Sequence, residues 1–219
     1  MTERIICIII GYFIGAIIQT GYWIGRFSHI DIRNYGSGNA GTTNVMRNLG
    51  RKAGLLTYAF DMLKVVFSDV IIHFLFGNNL GNEMLLFLYS GFGVVLGHNF
   101  PFYLKFKGGK GIAASSGVII SLLVFPKHCW LFTIVGMIMF GSVTYLSKYV
   151  SVGSLTALTV WFLQFCLWIV IGWLPLSTSD AIEGCVLVFI ITALGFIRHR
   201  SNLVRLANGT ERKIGQKKE

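Results

Sequence analysis

The chain has 219 residues, 54% of them hydrophobic and 13% charged, with a mean hydropathy of +0.67. A soluble domain carries about 25% charged residues; half that density cannot cover a water-facing surface, which excludes a soluble globular domain, a disordered chain and a disulfide scaffold. Lys and Arg total 19 against 9 Asp and Glu, a net charge of +10. In so apolar a chain that excess points to membrane topology and then to an anionic substrate, not to nucleic acid.

A spanning helix needs about 20 mostly apolar residues. Seven stretches qualify, at about 5–27, 53–76, 84–104, 112–126, 128–147, 152–174 and 181–197. The predicted fold is therefore an all-α, polytopic integral membrane helix bundle. It forms one domain over 1–219 with a polar tail from about Thr210. The first stretch has only Glu3 and Arg4 as flanking charges and no small-residue cleavage site, so it reads as an uncleaved span. In the second, Asp61 and Lys64 stand at i and i+3 and can neutralise each other, as structural support or as a functional pair. Asp69 and His73 lie toward the other end of that span, where a solvated interface role is expected. The fourth stretch is short and ends at Pro126, so it is tilted, packed inside the bundle or re-entrant. Cys7, Cys129, Cys166 and Cys185 stand singly, without CxxC or Cys/His spacing, and read as small core hydrophobes. His29 and His128 have no partner spacing and receive no role.

Of the 19 basic residues, 16 fall on one face of a seven-span chain. They are Arg26, Arg33, Arg47, Arg51 and Lys52 near the first loop, Lys105, Lys107 and Lys110 after span three, and Lys148 after span five. Arg198, Arg200, Arg205, Arg212, Lys213, Lys217 and Lys218 follow span seven. The positive-inside rule then predicts an external N-terminus and a cytoplasmic C-terminus.

Three polar clusters lie on that predicted cytoplasmic face. In Gly36-Ser37-Gly38-Asn39-Ala40-Gly41-Thr42-Thr43-Asn44-Val45-Met46-Arg47, the glycines allow tight turns with consecutive exposed N–H groups, a nest suited to an anion. Ser, Thr and Asn add neutral donors, and Arg47 adds a bidentate phosphate fork. The second cluster is Gly97-His98-Asn99-Phe100-Pro101 followed by Lys107-Gly108-Gly109-Lys110-Gly111-Ile112-Ala113-Ala114. There a glycine-rich turn carrying Lys110 precedes a helix start, so backbone donors, a helix N-terminus and an ammonium could converge on a phosphate. Leu104 stands where a Walker A loop requires its first glycine, so nucleotide hydrolysis is not indicated. In the third cluster, Arg198 to Glu211, His199, Asn202 and Arg205 recur at i, i+3 and i+6. A plain basic anchor would need neither His199 nor Asn202. His can exchange a proton near neutral pH, Asn can orient a ligand and Arg can hold charge.

The sequence contains no GxSxG elbow and no HExxH, and no histidine is followed by aspartate in a His-x4-Asp pattern. Near the clusters the carboxylates are few, namely Asp31 and Glu211, so paired-carboxylate chemistry is not indicated.

GSGNAGTTNVMR, GHNFPFYLKFKGGKGIAA and HRSNLVRLANGTE resemble the three signature blocks of the bacterial membrane acyl-phosphate:glycerol-3-phosphate acyltransferases of the PlsY type. The likeness runs from about Asp31 to Glu211. Thr42 stands where that family usually has Ala, Ala114 where it has Thr, and Val65 where a glycine follows the lysine. The resemblance implies transfer of a fatty acyl group from acyl phosphate to the 1-hydroxyl of glycerol 3-phosphate. The products would be lysophosphatidic acid and phosphate, for phospholipid synthesis. It implies that Ser37 and Arg47 serve the reacting phosphate and acyl carbonyl, and that His199 and Asn202 orient the attacking hydroxyl. Gly108, Gly109, Lys110 and Gly111 would hold glycerol 3-phosphate. Gly38, Asn39, Asn44, His98, Arg200 and Arg205 complete the expected substrate-binding set, with Asp61, Lys64 and Glu211 as structural support. No metal or other cofactor is expected, because acyl phosphate is already activated. The expected setting is the bacterial inner membrane, with the site on the cytoplasmic face and a functional link to the enzyme that makes acyl phosphate. The rival reading is a transporter or flippase for a phosphorylated solute.

Overall fold

The computed structural model describes residues 1–77 and 82–216, so Lys217 and Lys218 lie outside the described residues. All regular structure among the described residues is helical. Two compact units divide the chain, Met1–Leu122 and the part from Leu123 onward.

The first unit contains α1 (Thr2–Ile17), α2 (Thr20–Phe27), α3 (Thr42–Leu49), α4 (Arg51–Ile72), α5 (Glu83–Asn99) and α6 (Ile112–Ser121). Its central packing is α1 against α5, and the sequence reason is a pair of glycine stripes. A Cβ on Gly11 or Gly15 of α1 would collide with the backbone of Ser90 or Val94 on α5. A Cβ on Gly93 or Gly97 of α5 would collide with the backbone of Ile8 or Tyr12 on α1. Small residues four apart let two helix backbones approach closely, which is how helices associate in lipid. The same device joins α6 to α4, where Gly117 leaves room for the fully buried Val65.

The first apolar stretch is not one helix. α1 stops at Ile17 and α2 begins at Thr20, so the chain breaks at Ile18–Gln19. Asp69, expected at a solvated interface, is only 1% exposed, because α4 turns that face onto its neighbours α5 and α6. His73 lies in a single π turn, His73–Gly77, that ends α4, and it pairs with Glu83.

The second unit contains α7 (Trp130–Ser147), α8 (Val150–Val170), α9 (Thr178–Arg198) and α10 (Arg200–Ala207). Between α7 and α8, Lys148 takes a left-handed conformation with φ 67°, and Ser147 Oγ accepts from the Tyr149 N–H at 3.1 Å. Close helix approach again uses a glycine, since a Cβ on Gly153 would strike the Thr144 side chain. Ser177 caps α9 by accepting from the Asp180 N–H at 3.2 Å, the usual remedy for an open first-turn donor. The stacked pair Phe132 and Phe165, with ring centroids 5.9 Å apart, anchors the core of this unit. Cys7 and Cys129 are buried as expected, whereas Cys166 and Cys185 are half-buried with their sulfurs 3.4 Å apart.

Five helical runs are long and apolar enough to cross a membrane: Thr2–Phe27, Glu83–Leu104, Trp130–Ser147, Val150–Val170 and Thr178–Arg198. The other two of the seven apolar stretches differ in kind. α4 has 22 residues, about 33 Å of helix, but carries Asp61, Lys64 and Asp69 within it. The Ile112–Val124 run is shorter than a bilayer core of about 30 Å requires. Its residues from Ala113 to Leu122 are mostly buried, which fits packing inside the unit.

Candidate active site

The first cluster forms a turn pinned from below. Ile32, Ala40 and Val45 make a small core beneath it, joined by Tyr22, Ile24, Ile30, Leu49 and Ala53. Asp31 caps the 3-10 turn Ile32–Asn34 by accepting from the Arg33 N–H at 3.0 Å. The Arg33 guanidinium grips the same carboxylate, with Nη2 to Oδ2 at 2.7 Å, and donates to the Leu104 carbonyl at 3.2 Å. The Arg33 side chain, donating to Asp31, holds that carboxyl below its ordinary range, and Asp31 raises Arg33 in return.

Asn44 shapes the turn itself. Its Nδ2 donates to the carbonyls of Ile32 and Tyr35 at 3.1 and 2.9 Å. Its Oδ1 accepts from the Ser37 N–H at 2.9 Å and from Asn48 Nδ2 at 3.2 Å. Gly36 and Gly38 have φ of +60° and +70°, a region costly for any residue with a Cβ. Two of the N–H groups expected to face outward are taken up within the turn. The Ser37 N–H serves Asn44, and the Gly38 N–H serves the Tyr35 carbonyl at 3.0 Å. Asn44, expected to bind substrate, is 3% exposed with its amide engaged by the turn. What the turn presents outward is the side chain of Ser37, which is exposed, with Arg47 exposed on the same helix as Asn44.

The second cluster folds back on the end of α5. The last carbonyls of a helix lack intrahelical partners, and here the loop supplies them: the Gly108 N–H donates to the Asn99 carbonyl at 3.2 Å, and the Gly109 N–H to the His98 carbonyl at 3.0 Å. Those two donors, expected to face a phosphate, therefore close the loop on its scaffold. A Cβ at Gly108 would strike the His98 carbonyl, and one at Gly109 the His98 ring. Gly111, at φ +87°, ends the loop and starts α6, so Lys110 sits just before the positive end of a helix dipole. A cleft of about 440 Å³ lies where the two loops adjoin, lined by Arg33, Gly38, Tyr103, Lys105 and Lys107 among others. Of these only Gly38 was expected as a site residue. Arg33, Lys105 and Lys107 were legible only as topology charges.

Beneath this loop lies a buried polar network. Lys64 Nζ donates to the Ile18 carbonyl at 2.7 Å and to Asp61 Oδ1 at 3.0 Å, and it meets His98 Nδ1 at 2.9 Å. The break after α1 leaves the carbonyls of Gly15 and Ile18 to receive this cation, at the negative end of the helix dipole. Thr20 Oγ1 donates to the same Asp61 oxygen at 3.2 Å. Gln19 Nε2 donates to the carbonyls of Gly15, Gly97 and His98 at 3.0, 3.3 and 3.1 Å. Gln19 and Thr20 were missed in the sequence reading; the signal was a polar pair within an apolar run. His98, expected to bind substrate, is buried in this network.

In the second unit, His199 caps α9 and is 3% exposed. Its Nδ1 lies 2.7 Å from the Gly195 carbonyl, which only accepts, so Nδ1 carries a proton and donates it there. Asn202 Nδ2 donates to Glu211 Oε1 at 2.6 Å, Arg205 Nε to Oε2 at 2.7 Å and Ser151 Oγ to Oε1 at 3.3 Å. Burial would raise the Glu211 carboxyl, but hydrogen bonds from Asn202 and Arg205, the charge of Arg205 and the bond from Ser151 hold it below its ordinary range. Arg205 is therefore drawn into a carboxylate pair, whereas Arg200 is exposed. Ser37, Gly38, Asn39, Arg47, Lys110 and Gly111 stand in the first unit, and His199, Asn202, Arg205 and Glu211 in the second.

These features define an all-α integral membrane helix bundle carrying glycine-rich basic loops and a buried histidine at a helix junction. The chain matches the glycerol-3-phosphate acyltransferase family over residues 5–209. It is 41% identical over 211 residues to the glycerol-3-phosphate acyltransferase of Thermoanaerobacter sp. (strain X514), covering 96% of each chain. It is 39% identical to that of Clostridioides difficile (strain 630), covering 98% of this chain and 97% of the relative. Among solved structures it is similar to PlsY (YgiH), an integral membrane glycerol 3-phosphate acyltransferase. The glycerol 3-phosphate form of that protein gives a TM-score of 0.79 at 31% identity, over 97% of this chain and 96% of the other. Its lysophosphatidic acid form gives 0.77 at 30% identity, over 97% and 95%. This chain belongs to the glycerol-3-phosphate acyltransferase family.

Proposed function

We propose that this protein transfers a fatty acyl group from an acyl phosphate to the 1-hydroxyl of glycerol 3-phosphate, releasing lysophosphatidic acid and phosphate. The observation that carries the reading is its similarity, along nearly the whole chain, to a protein solved with the acceptor and, separately, with the acylated product. In the proposed reaction the C–O bond to the phosphoryl group breaks and a C–O bond to the glycerol oxygen forms. The hydroxyl proton passes to His199 Nε2 or to a substrate phosphate. The acyl phosphate is already activated, so positioning and charge neutralisation lower the barrier and no cofactor is needed.

In this reading the two units act as one acyltransferase domain over 1–219. Ser37 and Arg47 serve the reacting phosphate and carbonyl, with Gly38 and Asn39 shaping their turn. Lys110 and Gly111 hold glycerol 3-phosphate, and His199 and Asn202 orient its hydroxyl, with Arg200 and Arg205 adding positive potential. The distribution of Lys and Arg supports seven spans, an external N-terminus and a cytoplasmic site in the bacterial inner membrane.

The test is purified protein in detergent, given glycerol 3-phosphate with acyl phosphate, acyl-CoA or acyl carrier protein in separate reactions. Lysophosphatidic acid and phosphate are expected from acyl phosphate alone. Equal turnover from acyl-CoA overturns the donor assignment, and no product from any donor overturns the reading.

A further inference from the structure

His98 stands outside the acyl-transfer roles above, yet its surroundings fix its chemistry more tightly than those of any other histidine in the first unit. Lys64 Nζ has three short acceptors: the Ile18 carbonyl at 2.7 Å, His98 Nδ1 at 2.9 Å and Asp61 Oδ1 at 3.0 Å. A carbonyl and a carboxylate only accept, and an ammonium has three N–H groups and no lone pair. At 2.9 Å one of the two nitrogens must accept, and the ammonium cannot, so His98 Nδ1 offers the lone pair even though the Gly15 carbonyl also lies 3.4 Å from the lysine. The ring's proton then belongs on Nε2, and the packing places that edge against the loop, since a Cβ on Gly109 would overlap Nε2. Lys64, Asp61 and His98 are each at most 3% exposed, so water does not compete for these bonds, and the arrangement is rigid.

We propose that His98 is a positioning residue for the Gly108-Gly109-Lys110 loop, held by the Lys64 ammonium as the neutral Nε2–H tautomer with its donor edge turned to the loop. Asp61 and the broken end of α1 fix Lys64, Lys64 fixes the imidazole, and the imidazole fixes the loop that carries Lys110. The functional part of this inference rests on the glycerol 3-phosphate reading of that loop; the tautomer does not.

The test has two arms. In protein labelled with ¹⁵N at histidine, the His98 signals are identified by their loss in His98→Gln. An unprotonated Nδ1 and a protonated Nε2 are expected. The reverse pattern, or protonation at both nitrogens, overturns the proposal. In the second arm, Gln places its amide near the Nε2 position and Asn near Nδ1. The loop role predicts that His98→Gln keeps KM for glycerol 3-phosphate within about threefold, while His98→Asn raises it about tenfold, the effect of one lost hydrogen bond. A residue needed only as an acceptor for Lys64 would give the opposite order, rescue by Asn and failure of Gln, and that result overturns the proposal. If the wild-type protein does not use glycerol 3-phosphate at all, the proposed function fails while the ¹⁵N arm still decides the tautomer.

Discussion

Asn202 and Glu211 are joined by a 2.6 Å hydrogen bond that ties the segment after α10 back onto that helix. The carboxylate also takes Arg205 and Ser151, so one side chain fastens α10, the following turn and the start of α8.

Glu211→Gln should loosen this fastening, because an amide can accept from Asn202 but cannot accept from both neighbours as a carboxylate does. Arg205 is partly exposed, so screening limits the loss to about 1–2 kcal/mol. The wild-type carboxyl lies below its ordinary range. Its stabilisation is thus fully present above the unfolded value of about 4.3 and is lost as pH falls through the lower folded value. Hydrogen exchange of α10 should accelerate below pH 4 in the wild type. In Glu211→Gln it should already be faster at pH 6 and nearly insensitive to that acid step.

Asn44→Ala removes the four side-chain hydrogen bonds that clamp Ile32, Tyr35, Ser37 and Asn48 together and leaves the Ser37 N–H without its acceptor. Leaving buried polar groups unsatisfied costs about 1–3 kcal/mol each. Activity should fall at least tenfold while α4 and α5 keep their exchange protection. Unchanged activity would show that Ser37 does not depend on this clamp.

Gly15→Val should prevent α1 from seating on α5, because the added side chain meets the Val94 backbone, which cannot rotate away. A loss of about 3 kcal/mol is expected, the upper end of the usual cost of overpacking, because backbone and not a side chain must move. It should appear as a large drop in melting temperature of the detergent-solubilised protein. Gly136→Ala, where a Cβ meets nothing within 4 Å, is the matched control and should melt like wild type.

Lys110→Ala should raise KM for glycerol 3-phosphate more than it lowers kcat. One ammonium–phosphate contact is worth roughly 1.5–3 kcal/mol, and the loop's backbone anchorage to α5 does not involve the lysine side chain. Steady-state kinetics decide this. A collapse of kcat with KM unchanged would assign Lys110 to the transition state instead of ground-state binding.

The apolar runs and the three polar clusters were readable because each is local: a run of hydrophobic residues declares a helix, and a string of glycines declares a turn. What the turns do with their N–H groups was not readable. The acceptor for Ser37 is seven residues away, and the acceptors for Gly108 and Gly109 lie on a helix already ended. The contact of Lys64 with His98 spans 34 residues and has no spacing signature. Asp61 with Lys64 was visible as a neutral pair, but the two carbonyls that complete the lysine exist only because α1 breaks at Ile18. Gln19 and Thr20 were the one local clue to that break.

The pairing of α1 with α5 also sets an order of manufacture. Gln19 cannot reach the Gly97 carbonyl until 78 further residues have been made, roughly 4–16 s of synthesis at 5–20 residues per second. Until α5 is made the glycine stripe of α1 has no mate, and for the 34 residues between its own synthesis and that of His98, Lys64 has only Asp61 and the end of α1 for company. The nascent first unit must wait, half-assembled in the bilayer, for α5 to arrive and latch it. Changes that slow the arrival of α5, even silent ones in its coding stretch, should therefore lower the yield of folded protein without altering the finished molecule.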